Sequence, residues 1–220
     1  MSKRVALILA GCGHLDGSEI RETISSLLAL DQAGAQVTIF APNQKQKDVM
    51  NHYDQTSQEQ ERNIFEEASR LARGDIHELK ELTVDNFDAL MIPGGFGVAK
   101  NLCTFAFEGS NSQVLPAIES IIQEFHQHRK PIGAVCIAPA LIAKALEGRG
   151  ISVTIGKHPE TAKEIEKTGA SHHSCEVSEI HVDENNKIVT SPAYMYDNAD
   201  LKDVFKGISS CVQKMLEMAD

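Results

Sequence analysis

No apolar run in the 220 residues approaches the roughly 18 needed to cross a membrane as a helix, so no membrane partner is expected. Basic charge is scarce: 21 Lys and Arg face 31 Asp and Glu, a net −10, which argues against nucleic acid as a partner. The five cysteines are scattered without paired spacing. Reduced thiols in a cytoplasmic protein are a simpler account of them than a disulfide scaffold. Lys3-Arg4 precedes only a brief apolar stretch, soon broken by Asp16, Glu19 and Arg21, which is not signal-peptide composition. Gly11-Cys12-Gly13 lacks the glycine spacing of a dinucleotide fingerprint, and Gly148 to Gly150 lacks the lysine of a phosphate loop. No cofactor is expected. His172, His173, Cys175 and Glu176 lie close together, but neighbours on a strand point to opposite faces and make a poor metal cage, so no metal is expected either. There is no internal repeat and no low-complexity linker.

What is present reads as one domain over residues 1–220, 42% hydrophobic and long enough to bury about 70% of its extended-chain surface. Val5 to Ala10 is a continuous apolar run of the kind found in a central parallel strand. Ile20, Ile24, Leu27, Leu28 and Leu30 then repeat at helical spacing, with Ser18 as cap and Gly34 as stop. Gln36 to Ala41 completes a βαβ-like unit. Pro42 to Gln60 is a polar excursion, followed by a helix over Asn63 to Ala72 and an edge strand over Ile76 to Leu79. Strands are expected at Phe87 to Ile92, Ile132 to Val135, Ser152 to Ile155, His172 to Cys175, Glu179 to Val182 and Lys187 to Thr190, the last two joined by a turn at Asn185-Asn186. Helices are expected with a buried face from Val114 to Phe125, over Ala138 to Leu146 and Pro159 to Lys167, and across Asp197 to Met218. This alternation favours a three-layer α/β/α sandwich, whose sites gather beyond the carboxyl ends of the strands.

Within that frame Gly133-Ala134-Val135-Cys136-Ile137-Ala138-Pro139 stands out. A lone cysteine is as a rule a small buried hydrophobe. Here the strand ends at Cys136 and a helix begins just beyond, with Pro139 tolerated in its first turn. Such a nucleophile elbow exposes the side chain to helix-start amides, Ile137 first, which favour a thiolate and can receive charge from an attacked carbonyl. Gly94 and Gly95, in the sharp turn after a strand, supply the second half of that anion site, where glycine lets backbone approach a ligand; an ordinary tight turn is the competing reading. Glu19 opens the first helix, where it either serves the helix terminus or faces Cys136 as a carboxyl of raised pKa able to exchange a proton with the thiol. Cys12, His14, Phe96, Asn101, Pro192 and Tyr194 are placed around the pocket. His158 could also approach it, although its position at a helix start explains it without catalysis.

Gly11-Cys12-Gly13, Asp16-Gly17-Ser18-Glu19-Ile20, Pro93-Gly94-Gly95-Phe96-Gly97 with Ala99-Lys100-Asn101, Cys136-Ile137-Ala138-Pro139-Ala140 and Thr190-Ser191-Pro192-Ala193-Tyr194-Met195 resemble the PfpI and Parkinson-protein superfamily, related in fold to class I glutamine amidotransferases. The similarity extends to the ElbB-type branch of isoprenoid-biosynthesis or glyoxalase-like proteins. The resemblance implies a flavodoxin-like sandwich with a mostly parallel sheet, a homodimer or higher homo-oligomer, Cys136 as nucleophile, Glu19 as its acidic partner and Gly94 and Gly95 as anion site. One departure matters: Ile137 stands where protease-like and amidotransferase relatives place or recruit a histidine. Amide hydrolysis then lacks a route for protonating its leaving nitrogen. Glutathione-independent glyoxalase activity on a small 2-oxoaldehyde, without cofactor, is the activity the resemblance favours. Two alternatives remain: a small-amide thiol hydrolase using His14 or His158, and a redox-sensitive stress or regulatory interaction protein.

Overall fold

The structure is a computed structural model that describes residues 2–219. Its main sheet has seven strands in the order β3-β2-β1-β4-β5-β9-β8. They are β1 (Arg4–Ile8), β2 (Gln36–Ala41), β3 (His77–Glu78), β4 (Ala89–Ile92), β5 (Ile132–Val135), β8 (His181–Asp183) and β9 (Ile188–Ser191). Six run parallel; β8 is antiparallel to β9. Successive residues of the central strands point to opposite faces. Ala6, Ile8, Leu90 and Ile92 pack into one core with α3 (Phe105–Glu108), α4 (Pro116–Gln127), α5 (Ala138–Ala145) and α6 (Pro159–Lys167). Val5, Leu7, Ala89 and Met91 pack into the other with α1 (Ile20–Gln32), α2 (Ile64–Leu71) and α7 (Leu201–Glu217). Burial on both sides is why these strands read as unbroken apolar runs. The result is the expected flavodoxin-like three-layer α/β/α sandwich.

The strand order reverses direction between β1 and β4. There the connections leave in opposite senses and open a crevice at the carboxyl ends of the strands. The loop after β1 and the turn after β4 meet in that crevice. Phe96 N–H donates to the His14 carbonyl at 2.8 Å, Gly97 N–H to the Gly17 carbonyl at 2.9 Å, and Glu19 N–H to the Gly94 carbonyl at 2.9 Å.

Several local expectations shift. Ser152–Val153 (β6) and Ser171–His172 (β7) form a separate two-stranded parallel sheet, so the His172 to Cys175 strand is reduced to two residues beginning one earlier. The edge strand expected at Glu179 to Val182 lies at His181–Asp183, because Asp183 both pairs with Ile188 and closes the Asn185-Asn186 turn through Asn186. A π-helical turn at Val98–Leu102 has no periodic signal in the sequence. Ser18 does not cap α1: its hydroxyl accepts from Ala10 N–H at 2.8 Å and ties the loop to β1, while Glu19 is the cap.

The largest revision concerns which face of α1 is inside. Ile20, Ile24 and Leu28 are 45%, 48% and 45% exposed, and Glu22, Thr23, Ser25, Ser26, Ala29 and Leu30 are buried. Small side chains at Ser25, Ser26 and Ala29 let α1 lie close to its neighbour α7. Ser26 satisfies its hydroxyl on the Glu22 carbonyl at 2.8 Å.

Candidate active site

Cys136 follows the last residue of β5 and precedes α5, whose second residue is Pro139. Its φ is +59°, a left-handed conformation that is strained for any residue with a side chain. Register holds it there: Val135 pairs with Ser191 across β5 and β9, and Cys136 N–H donates to the Ser191 carbonyl at 3.0 Å. The elbow expected from sequence is present. Its residue is 7% exposed and packs into the core that also holds Val135, Val189 and Ala193.

The acid beside that sulfur is Glu22. Carboxyl and thiol flank the same glycine: a Cβ on Gly94 would lie 2.6 Å from Glu22 Oε2 and 2.9 Å from Cys136 Sγ. The carboxyl accepts from Gly94 N–H at 2.9 Å and from Tyr194 N–H at 3.1 Å, one amide to each oxygen. A protonated carboxyl suits this setting: two amides need acceptors and the sulfur needs a donor. A glutamine would turn its NH2 toward one of those amides. Glu19, expected to face the thiol, points back along its own helix and accepts from Glu22 N–H at 2.6 Å. The cause is helical geometry. The first turn of α1 presents Glu22 inward, three residues on, while Glu19 fills the cap.

The two glycines divide their work differently from the expectation. Gly94 gives its N–H to Glu22, not to the sulfur, and its missing side chain is what matters: a Cβ there would lie 2.4 Å from Cys136 Cβ and 2.6 Å from Glu22 Oε2. The amides acting on sulfur are those of Gly95 and Ile137. Gly95 sits at φ +100°, and a Cβ on it would fall 2.4 Å from Glu19 N.

Burial, and then the nearby Glu19 charge, raise the Glu22 carboxyl to about 8. Burial, and then the Glu22 charge, push the Cys136 thiol well above the usual range, with the Gly95 and Ile137 amides pulling the other way. The expectation that the elbow alone favours a thiolate is therefore corrected: desolvation outweighs two amides. The groups titrate as a pair, and the pair keeps its carboxyl proton near neutral pH. With that proton in place, the charge opposing thiolate formation is gone and the Gly95 and Ile137 amides act on the sulfur unopposed by it.

The other predicted residues fall into two groups. Tyr194 lies at the site: its N–H holds Glu22, and its hydroxyl accepts from Arg21 at 3.2 Å. Pro192 is buried in the same turn, and Phe96 is 51% exposed on the turn after β4. Asn101 is a staple. Its Nδ2 donates to the Ala10 and Asp16 carbonyls, both at 2.9 Å, and its Oδ1 accepts from Lys47 N–H at 2.8 Å. The charged groups acting on Cys12 are Glu67, Arg70, Asp16 and Arg62, and Cys136 is not among them. His14 is exposed, with its ring edge-on to His52 at 5.0 Å, and His158 caps α6 through Thr161. The groups acting on the Cys136 sulfur are Glu22, Gly95 and Ile137, with neither imidazole among them. Two surface clefts, of about 420 and 310 Å³, lie elsewhere, one lined by Ser112, Glu119 and Lys144, the other by Asp88, Arg129 and Lys187.

Sequence reasoning missed Glu22. The signal was present as a glutamate three residues after a cap, but the apolar stripe of α1 placed it outside.

A switch-point crevice holding a strained cysteine and a buried carboxyl defines a thiol-site protein on a doubly wound sheet. The DJ-1/PfpI family model matches residues 3–198, and the chain belongs to that family, in its ElbB-type, class I glutamine amidotransferase-like branch. It is 46% identical over 225 residues to the human mitochondrial glutamine amidotransferase-like class 1 domain-containing protein 3, covering 98% of this chain and 83% of the relative. It is 43% identical to the mitochondrial ES1 protein homolog of Rattus norvegicus, covering 98% and 84%. The crystal structure of an isoprenoid biosynthesis protein with an amidotransferase-like domain from Ehrlichia chaffeensis superimposes with a TM-score of 0.90 at 40% identity, covering 97% of this chain and 99% of that one. The cytoplasmic expectation is overturned here, because the human and rat relatives are mitochondrial. Free cysteines argue against an oxidising compartment but do not choose among reducing ones.

Proposed function

We propose that this protein is a cofactor-independent glyoxalase that converts glyoxal or methylglyoxal to a 2-hydroxy acid, with Cys136 as nucleophile and Glu22 as proton carrier. One observation carries the reading: a buried carboxyl raised to about 8 and the elbow thiol flank the same glycine, so a proton donor and an incipient nucleophile are neighbours. The depth of a 7% exposed cysteine favours two- and three-carbon substrates over bulkier ones.

The sulfur attacks the aldehyde carbon and a C–S bond forms as the thiol proton leaves to water. Glu22 gives its own proton to the carbonyl oxygen, which faces the Gly95 and Ile137 amides and becomes the hemithioacetal hydroxyl. Glu22, now a carboxylate, removes the hydrogen of that carbon to give an enediol and returns the proton to the neighbouring carbon. The aldehyde carbon is thereby oxidised to a thioester and its neighbour reduced to a carbinol, so no external oxidant is consumed. Water breaks the C–S bond and releases glycolate or lactate. Amide hydrolysis is the weaker reading, since no imidazole acts on the sulfur to protonate a leaving nitrogen. One domain over the whole chain and a homo-oligomer belong to the same reading; the exposed Ile20, Ile24 and Leu28 stripe supports self-association, which light scattering would measure.

The test is product-resolved kinetics with both aldehydes for the parent, Cys136→Ala and Glu22→Gln. Acid formation by the parent, lost in both folded variants, is expected. Aldehyde consumed without glycolate or lactate, or turnover that survives Cys136→Ala, overturns the reading.

A further inference from the structure

Three hydrogen bonds close a ring through Glu19. Its N–H donates to the Gly94 carbonyl at 2.9 Å, Gly94 N–H donates to Glu22 Oε2 at 2.9 Å, and Glu22 N–H donates to Glu19 Oε2 at 2.6 Å. The Glu19 carbonyl accepts from Thr23 N–H at 3.0 Å and from the Thr23 hydroxyl at 2.7 Å, which anchors the ring in α1. A Cβ on Gly95 would stand 2.4 Å from Glu19 N, so only glycine lets the turn lie this close to the Glu19 backbone. An ordinary helix cap would need only the last of the three ring bonds.

We propose that Glu19 is a positioning residue for the thiol–carboxyl pair: its carboxylate and its peptide N–H together fix where the Glu22 carboxyl stands, and its negative charge keeps the proton on Glu22. The proposal rests on the Cys136 and Glu22 roles given above. The groups facing Glu22 are Glu19 from the same turn, the Cys136 thiol from the elbow, and the peptides of Gly94 and Tyr194. Arg21 faces away, toward the Tyr194 hydroxyl. Glu19 itself is half-buried. Burial raises its carboxyl, while the Glu22 N–H, the Arg21 charge and the Arg21 N–H oppose that rise. Glu19→Gln keeps an acceptor at the cap and removes the charge; Glu19→Ala removes both.

The experiment follows the Glu22 carboxyl by carbon-13 NMR in protein labelled at glutamate side chains, assigned with Glu22→Gln, beside pH profiles of kcat for glyoxal. The midpoint, about 8 in the parent, is expected to fall by at least about half a unit in Glu19→Gln. Glu19→Ala is expected to lower kcat about tenfold with little change in KM, because the carboxyl is displaced and the elbow is not. A Glu22 midpoint unmoved in Glu19→Gln overturns the proposal, as does parental kcat in Glu19→Ala. Should Glu19→Ala fail to fold, the Glu19→Gln titration decides alone. The titration reads Glu22 whether or not glyoxal is turned over, so a glyoxalase failure shows separately, as no acid from the parent with the shift intact.

Discussion

Cys136 and Glu22 are held by helices built in opposite ways, one just after the cysteine and one carrying the carboxyl. α5, behind Cys136, buries Ala138, Pro139, Ala140, Leu141, Ile142, Ala143 and Ala145 and follows the ordinary rule of apolar residues inside. α1, which carries Glu22, buries a carboxyl, a threonine and two serines and turns isoleucine and leucine outward. Hydrophobic patterning is a statement about average burial energetics. It serves for α5, where the only demand is packing. It misleads for α1, where a carboxyl is carried into the protein interior and where α7 lies close.

The sharpest break of this contrast is at the elbow. Cys136→Ala should abolish acid formation, a loss of at least about 1,000-fold, with circular dichroism unchanged. Cys136→Gly should be equally inactive yet about 1 kcal/mol more stable to urea than the alanine variant, because only glycine is relaxed at φ +59°. Equal stability of the two would mean that the elbow stores no strain.

Gly94→Ala and Glu22→Gln test the polar side. The methyl of the first would need the space of Cys136 Cβ, so kcat should fall about 100-fold for a displacement near 1 Å. The second keeps the volume but turns an NH2 toward a backbone amide, and a loss of about 100-fold or more in kcat is expected from the missing proton carrier.

A smaller effect appears in stability against pH. Glu22 has an ordinary carboxyl pKa of 4.5 unfolded and one raised to about 8 in the folded protein. Between those values the folded form holds a proton that the unfolded chain has released, so stability falls as pH rises through the window. Above about pH 8 the folded state carries the buried charge. At about 1.4 kcal/mol for each unit, the drop amounts to a few kcal/mol. Urea unfolding at pH 5 and pH 8.5 should show a drop in the parent that Glu22→Gln lacks. A parallel pH dependence in the two would remove Glu22 as its source.

The smallest effect is expected on the outer face of α1. Ile24→Glu should change monomer stability by no more than about 0.5 kcal/mol, whereas Ser26→Leu, on the packed face, should cost about 1–3 kcal/mol. A reversal of that order would restore the conventional sense of the helix.

The same contrast explains what was legible in the sequence. The parallel strands, the elbow at Cys136 and the glycine turn are written in local terms: continuous apolar runs, a strand ending where a helix begins, residues that only a tight turn requires. The small sheet of β6 and β7 and the displaced β8 were harder, because two- and three-residue strands are fixed by partners such as Asp183 and carry little periodicity of their own. Glu22 was hidden by a correct principle applied to the wrong face: two residues turn a helix by about 200°, so placing Ile20 inside places Glu22 outside. Glu19 stood out as an acid at the start of α1 with two readings, and the cap is the one the structure shows; a sequence cannot distinguish an acid that caps the helix from one that reaches the thiol, since the two stand a single turn apart.

The depth of Cys136, 7% exposed in the core, also bears on which reagents can meet its sulfur. Hydrogen peroxide, iodoacetamide and short aldehydes should modify it faster than glutathione disulfide or aromatic disulfides, which need room around the sulfur to react. In a cell, that depth would shield the sulfur from the bulky thiol pool more than from the smallest electrophiles.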